Sequence, residues 1–188
     1  MIILHKDFSY INAEFNKDSK KQYDCKGEIF HISEKDKDIF IEKLIYGLKN
    51  SKVIAFLPEP LNESDVNHDF LQKIDLSISS NNEVVTTHFI LFTSGTTGKP
   101  KQILHTINSL TSKIKKREEN FIWGLTYDPF RMAGLQVILS AITNGDKLVM
   151  PGVFDIRKNL EYFIKHKVNT ISATPSYFRI LLSSEKAQ

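Results

Sequence analysis

Between Thr93 and Lys101 the chain reads Thr-Ser-Gly-Thr-Thr-Gly-Lys-Pro-Lys, a run made almost wholly of hydroxyls, glycines and cations. Thr93, Ser94, Thr96 and Thr97 supply four hydroxyls within five positions. Gly95 and Gly98 let the backbone turn tightly and present N–H groups with no Cβ in the way. Lys99 and Lys101 add positive charge beside them. Such a composition can form a concave anion site suited to phosphate oxygens. It is not the Walker nucleotide loop, which needs four residues between its glycines and a Ser or Thr after its lysine. Here two residues separate Gly95 from Gly98, and Pro100 follows Lys99. The competing reading is an ordinary turn or flexible loop. Context weighs against it, because an apolar, β-rich run enters the loop and a helical pattern is expected to leave it.

The elements around the loop alternate. Spacing of apolar residues predicts a helix over 36–50, with Asp36 or Asp38 as its cap, and a buried strand over Val53–Leu57 ended by Pro58 and Pro60. The stretch from Glu59 to Asn82 reads as a polar connection with a short helix around His68–Ile74. Val84–Phe92 is expected as the strand that delivers the loop. A helix over Gln102–Glu119 would follow, with Ile103, Ile107, Leu110 and Ile114 on one side and Lys113, Lys115, Lys116 and Arg117 as a solvated face. Strands are predicted over Phe121–Thr126, Lys147–Met150 and Asn169–Ala173. Helices are predicted over Met132–Thr143, closed by Asn144-Gly145, over Asp155–His166 with Ile156, Leu160, Phe163 and Ile164 inward, and over Ser176–Ser183 after Pro175. This alternation implies an α/β fold with a mostly parallel sheet and helices on both faces. We divide it into an N-terminal segment, 1–83, and a loop-bearing βα region of the same domain, 84–188. Ligands of such sheets bind beyond the carboxyl ends of the strands. Residues 93–101, Tyr127–Arg131 and Ala173–Ser176 are the segments expected there.

The 188 residues, 41% hydrophobic and 25% charged, have the composition of a soluble globular protein. A net charge of +3 gives no reason to propose nucleic acid as a partner. The single cysteine, Cys25, allows no internal disulfide and no cysteine-based zinc site. His88, His105 and His166 show no metal-ligand spacing, so no metal ligand is assigned. No apolar run matches a signal peptide or a membrane span, and a cytoplasmic location is the expectation.

The loop resembles the phosphate-binding signature of the adenylate-forming, AMP-binding family of acyl-CoA synthetases, luciferases and peptide-synthetase adenylation domains. That signature runs Thr-Ser-Gly-Ser/Thr-Thr-Gly-x-Pro-Lys-Gly. This chain follows it from Thr93 through Lys101 and departs at Gln102, where glycine is usual. Asp128-Pro-Phe-Arg-Met-Ala-Gly134 is similar to the family's Pro-Leu-Phe-His-x-x-Gly. Asn144-Gly-Asp-Lys-Leu-Val-Met-Pro151 and Val168-Asn-Thr-Ile-Ser-Ala-Thr-Pro-Ser176 resemble two later segments of it. The wording Ala-Gly-Leu-Gln-Val looks most like o-succinylbenzoate–CoA ligases.

The resemblance implies activation of a small carboxylic acid by Mg-ATP as an acyl-adenylate, followed by transfer to a thiol such as coenzyme A. Thr93, Ser94, Gly95, Thr96, Thr97, Gly98 and Lys101 would hold the triphosphate, with Lys101 the catalytic cation; Lys99 stands at a variable position. Arg131 occupies a place where the family often has His. It would either pair with the acid's carboxylate or cap the turn before the helix. Tyr127 either lines the acyl pocket or fills core, Thr174 and Ser176 border that pocket, with a local turn or helix start as the alternative for Ser176, and Gly134 is expected to allow close helix packing. The family's Tyr-Gly-x-Thr-Glu segment, ribose-binding Asp and C-terminal domain are not in the sequence. The chain alone is therefore expected to be inactive, as an N-terminal fragment or half of a split enzyme. It would then be completed by a C-terminal chain or would self-associate. The alternative is a non-catalytic nucleotide-binding remnant, or an interaction protein that kept the fold.

Overall fold

The computed structural model describes residues 2–4, 10–12, 29–50, 53–67, 87–93, 100–151 and 155–185. In chain order the strands are β1 (Ile2–Leu4), β2 (Tyr10–Asn12), β3 (Ile29–Ile32), β4 (Val53–Phe56), β5 (His88–Thr93), β6 (Lys101–Thr106), β7 (Ile122–Leu125), β8 (Lys147–Val149) and β9 (Thr170–Ser172). The helices are α1 (Lys37–Asn50), α2 (Ile107–Thr111), α3 (Met132–Asn144), α4 (Ile156–Lys165) and α5 (Pro175–Glu185). They belong to two compact units, one of Ser19–Lys113 and the other of Met1–Asp18 with Ile114–Gln188. The short helix expected around His68–Ile74 lies outside the described residues.

In the Ser19–Lys113 unit the sheet order is β3-β4-β5-β6. The first three strands are parallel, and β6 runs antiparallel to β5 with Thr93 opposite Lys101 and His88 opposite Thr106. Parallel strands buried on both faces need continuous apolar runs, and Val53–Phe56 is buried at every position. One face carries α1, whose start is capped by Asp36 Oδ1 accepting from the Asp38 and Ile39 N–H groups at 2.9 and 3.0 Å. Phe40 of α1 meets Phe56, which stacks on Phe89 with ring centroids 6.1 Å apart. The opposite face of the sheet buries Ile29, Val53, Ala55, Leu57, Ile90 and Phe92 beneath Leu61 and Val66.

The helix expected over Gln102–Glu119 is replaced by β6 and the five-residue α2. Ile103, Ile107, Leu110 and Ile114 fit a helical period, but residues 101–106 have a full ladder of partners on β5, which overrides that local signal. The helix begins only where Thr106 and Ser109 form a reciprocal capping box, the Ser109 N–H donating to Thr106 Oγ1 at 3.0 Å.

The second unit has the sheet order β2-β1-β8-β7-β9. Strands β8, β7 and β9 are parallel, while β1 is antiparallel to both β2 and β8. The chain passes from β7 to β8 on one side, then crosses back to β9 on the other. Crossovers of the right-handed kind that parallel strands follow in nearly all folds would place α3 and α4 on opposite faces. α3 ends as predicted at Gly145, whose φ of 70° is the left-handed cap that glycine adopts without strain. α4 turns inward on Asn159 and Phe163 rather than on Ile164, which is 68% exposed and corrects the predicted face.

Asp146, buried just after that cap, organises the junction. It accepts from the Phe121 N–H and from the Trp123 indole N–H, each at 3.0 Å, and pairs with the Arg117 guanidinium. Arg117 also lies over the Phe121 ring, 3.9 Å from its centroid. Lys113, Lys115 and Lys116 are exposed as expected, but Arg117 leaves that solvated face for the buried carboxylate. Among the described residues no helix is long and apolar enough to cross a membrane.

Candidate functional site

The predicted phosphate loop closes a β-hairpin. Thr93 ends β5 and Lys101 begins β6, and the two are directly opposed. The Thr93 hydroxyl donates to the Lys101 carbonyl at 3.4 Å, a weak bond that still ties the two ends. Both residues are exposed at the carboxyl end of the parallel strands. Alternation along β5 puts Thr93 on the same face as Phe89, the face covered by α1, and Lys101 shares it. Ser94, Gly95, Thr96, Thr97, Gly98 and Lys99 lie outside the described residues. A strand, not the expected helix, follows the loop.

The other predicted site residues lie in the second unit. β7 is the point at which its strand order reverses, and β9 is its neighbour on the reversed side. In parallel sheets the crevice beyond the carboxyl ends at such a point is where ligands bind. Leu125 pairs with Ser172, and the Thr126 hydroxyl donates to the Ser172 carbonyl, so the chain leaves β7 and β9 side by side. Tyr127 and Arg131 follow β7, while Thr174 and Ser176 follow β9. These four residues thus emerge at one end of two adjacent strands.

Their local roles differ. Tyr127 is half-buried, and Thr174 and Ser176 are exposed. Thr174 Oγ1 accepts from the Tyr177 N–H at 3.2 Å and so caps α5, a role the sequence reading weighed for Ser176 and not for Thr174. Arg131 stands at the start of α3 without a side-chain cap and lies 3.7 Å from Asp128, which the sequence did not single out. Asp128 Oδ1 accepts from the Phe130 N–H at 2.9 Å, and its carbonyl accepts from the Arg131 N–H at 3.1 Å. An Asp before Pro at the head of a helix is an Asx-turn signal, and it could have marked this residue. Gly134 makes the turn possible, since a Cβ there would stand 2.2 Å from the Asp128 carbonyl oxygen. The close packing expected of Gly134 is the packing of α3 against its own entry turn.

Two ionisable groups near these elements are perturbed. Burial lowers the His105 pKa from the usual 6.5. The Tyr177 phenol is raised by burial, a shift opposed by the neighbouring Asn159 amide.

This arrangement is that of the N-terminal α/β domain of adenylate-forming enzymes. It shares its fold with the N-terminal domain of FACL13 from Mycobacterium tuberculosis, with a TM-score of 0.53 and 16% identity over 81% of this chain and 50% of that one. The chain belongs to the AMP-binding enzyme family, whose model matches residues 23–188. Acetyl-coenzyme A synthetase 1 of Pseudomonas aeruginosa is 29% identical over 137 residues, 65% of this chain and 21% of that protein. A 2-succinylbenzoate–CoA ligase of Geobacillus sp. (strain WCH70) is 30% identical over 100 residues, 50% of this chain and 20% of that protein. The chain spans about a fifth of the length of these curated relatives. Two branches match at nearly equal identity, so neither acid is singled out by similarity.

Proposed function

We propose that this chain supplies the triphosphate-holding part of a site that activates a carboxylic acid with Mg-ATP. In the first step a carboxylate oxygen bonds to the α-phosphorus and the bond to pyrophosphate breaks, giving an acyl-adenylate. In the second the thiol of coenzyme A, the proposed acceptor, gives its proton to solvent, its sulfur bonds to the acyl carbon, and AMP leaves with the electron pair of the broken C–O bond. Both partners of the first step are anions, so cations and donors fixed in advance must offset their repulsion. Lys101 supplies such a cation, and the hydroxyls of Thr93, Ser94, Thr96 and Thr97 with the amides around Gly95 and Gly98 supply donors. Mg²⁺ would neutralise part of the triphosphate charge, and no residue described here is assigned to it. Arg131, beside Tyr127, Thr174 and Ser176, is the proposed carboxylate partner. A guanidinium offers two parallel donors for that task.

The adenine and ribose contacts of such a site, by the family resemblance, lie in the part of the relatives' length that this sequence does not span. We infer that they are supplied by a further segment or a complementing chain. ATP and coenzyme A as reactants fit a cytoplasmic place of work.

The observation that carries this reading is the motif from Thr93 to Lys101, with its ends locked at the carboxyl end of β5, in a chain of the AMP-binding family. Calorimetric titration with Mg-ATP tests it. Lys101→Ala removes a charge-assisted bond and should raise the dissociation constant by about tenfold or more. An unchanged affinity would show that the loop does not hold the triphosphate.

A further inference from the structure

The departure from the family signature at Gln102 has a structural use. Gln102 faces the side of the sheet opposite to Lys101, as alternation along β6 requires. On that side the segment Pro58–Asn67 crosses as a strap, pressing Leu61 and Val66 onto the core beneath. The strap has its own local bonds. The Leu61 N–H donates to the Pro58 carbonyl at 2.9 Å, and Asn62 and Asp65 close a capping box. Its far end is held by the Gln102 carboxamide at two points. The Asn67 N–H donates to Gln102 Oε1 at 2.8 Å, and Gln102 Nε2 donates to the Asn67 carbonyl at 3.3 Å. This is the bonding a neighbouring strand would give Asn67, performed by a side chain. A glycine at 102 has no group that can do it.

We propose that Gln102 is a positioning residue for Lys101, clamping the strap onto the first residues of β6 and so fixing the strand end that presents the Lys101 ammonium. The clamp restrains β6 from one face while Lys101 works on the other, one residue away. The inference rests on the triphosphate-binding reading above.

The test uses the full chain, with Mg-ATP as the probe and amide hydrogen exchange at Asn67 as a second readout. Gln102→Ala and Gln102→Gly should speed exchange at Asn67 and raise the ATP dissociation constant about three- to tenfold, the scale of one or two neutral hydrogen bonds. Gln102→Glu keeps an acceptor for the Asn67 N–H but loses the donor. It should restore part of the protection and part of the affinity. Faster exchange with unchanged affinity would overturn the positioning role and leave Gln102 as a stabilising contact only. Unchanged exchange would overturn the clamp itself. If the wild-type chain does not bind Mg-ATP, or Lys101→Ala binds as well as wild type, the triphosphate reading fails and takes this inference with it. If Lys101→Ala weakens binding and Gln102→Ala does not, the inference fails alone.

Discussion

Removing the Asp146 carboxylate should be among the most damaging single changes in this chain. Its side chain is fully buried, and it serves three donors from separate points: the Arg117 guanidinium, the Phe121 amide and the Trp123 indole. Asp146→Ala leaves two N–H groups without that acceptor and a guanidinium only 20% exposed without its counter-charge. Breaking a buried pair by deleting one partner costs about 3–5 kcal/mol. Partial exposure of Arg117 favours the lower end, roughly 3 kcal/mol, a sizeable share of the ~5–15 kcal/mol typical of whole domains. That is a shift of more than a hundredfold in the unfolding equilibrium. Trp123 is the only tryptophan in the chain and sits on the carboxylate, so urea unfolding followed by its fluorescence reads the site directly. A double-mutant cycle with Arg117→Met should show strong coupling, because an apolar partner removes the stranded charge. A loss below about 1 kcal/mol, with no coupling in the cycle, would refute the argument that a buried carboxylate organises this junction.

Other outcomes can be stated more briefly. Gly134→Ala would ordinarily stabilise a helix interior by ~0.5–1 kcal/mol. Here the new Cβ would meet the backbone of Asp128 and Pro129 at 2.2 to 3.0 Å, so the sign should reverse to a loss of ~1–3 kcal/mol. A higher urea midpoint would refute it. For His105, burial lowers the folded pKa below the 6.5 of an exposed imidazole. The unfolded chain then binds more protons over the window from 6.5 down to the folded value. Its contribution to stability is intact above 6.5 and is lost as the pH falls through that window. An NMR titration of His105 should give a midpoint below 6.5, and His105→Asn should reduce the acid sensitivity of unfolding; a midpoint at or above 6.5 overturns this.

What the sequence disclosed depended on whether a signal was local. The helix α3 was legible almost to the residue because an apolar run meets Asn144-Gly145, and the left-handed cap sits there. Gly134 was readable for the same reason, since its partner is the turn just before it. β6 was not, because its pattern at Ile103 and Ile107 also fits a helix and the deciding ladder lies across the loop on β5. Arg117 was misread as surface because the carboxylate that draws it in is 29 positions away. In α4 Asn159 is buried and Ile164 exposed, a choice made by packing rather than by hydropathy alone. The candidate site followed the same rule. Tyr127, Arg131, Thr174 and Ser176 could be placed at strand ends from the alternation of elements, whereas the Asn67–Gln102 bond spans 35 positions and needed coordinates.

The pairing of β5 with β6 separates the length of the proposed phosphate loop from the architecture beneath it. Thr93 and Lys101 are cross-strand partners, so the gap spanned by residues 94–100 is set by strand pairing, with opposing Cα atoms about 4.5–5.5 Å apart. The length-dependent part of closing such a segment is roughly 1.7 kcal/mol in chain entropy, a term met when the sheet forms. Adding or deleting a loop residue alters that term by only about 0.1–0.2 kcal/mol. The length of this segment can therefore vary at small entropic cost. On the proposed triphosphate reading, a change of anion size would be met first in the length of this segment.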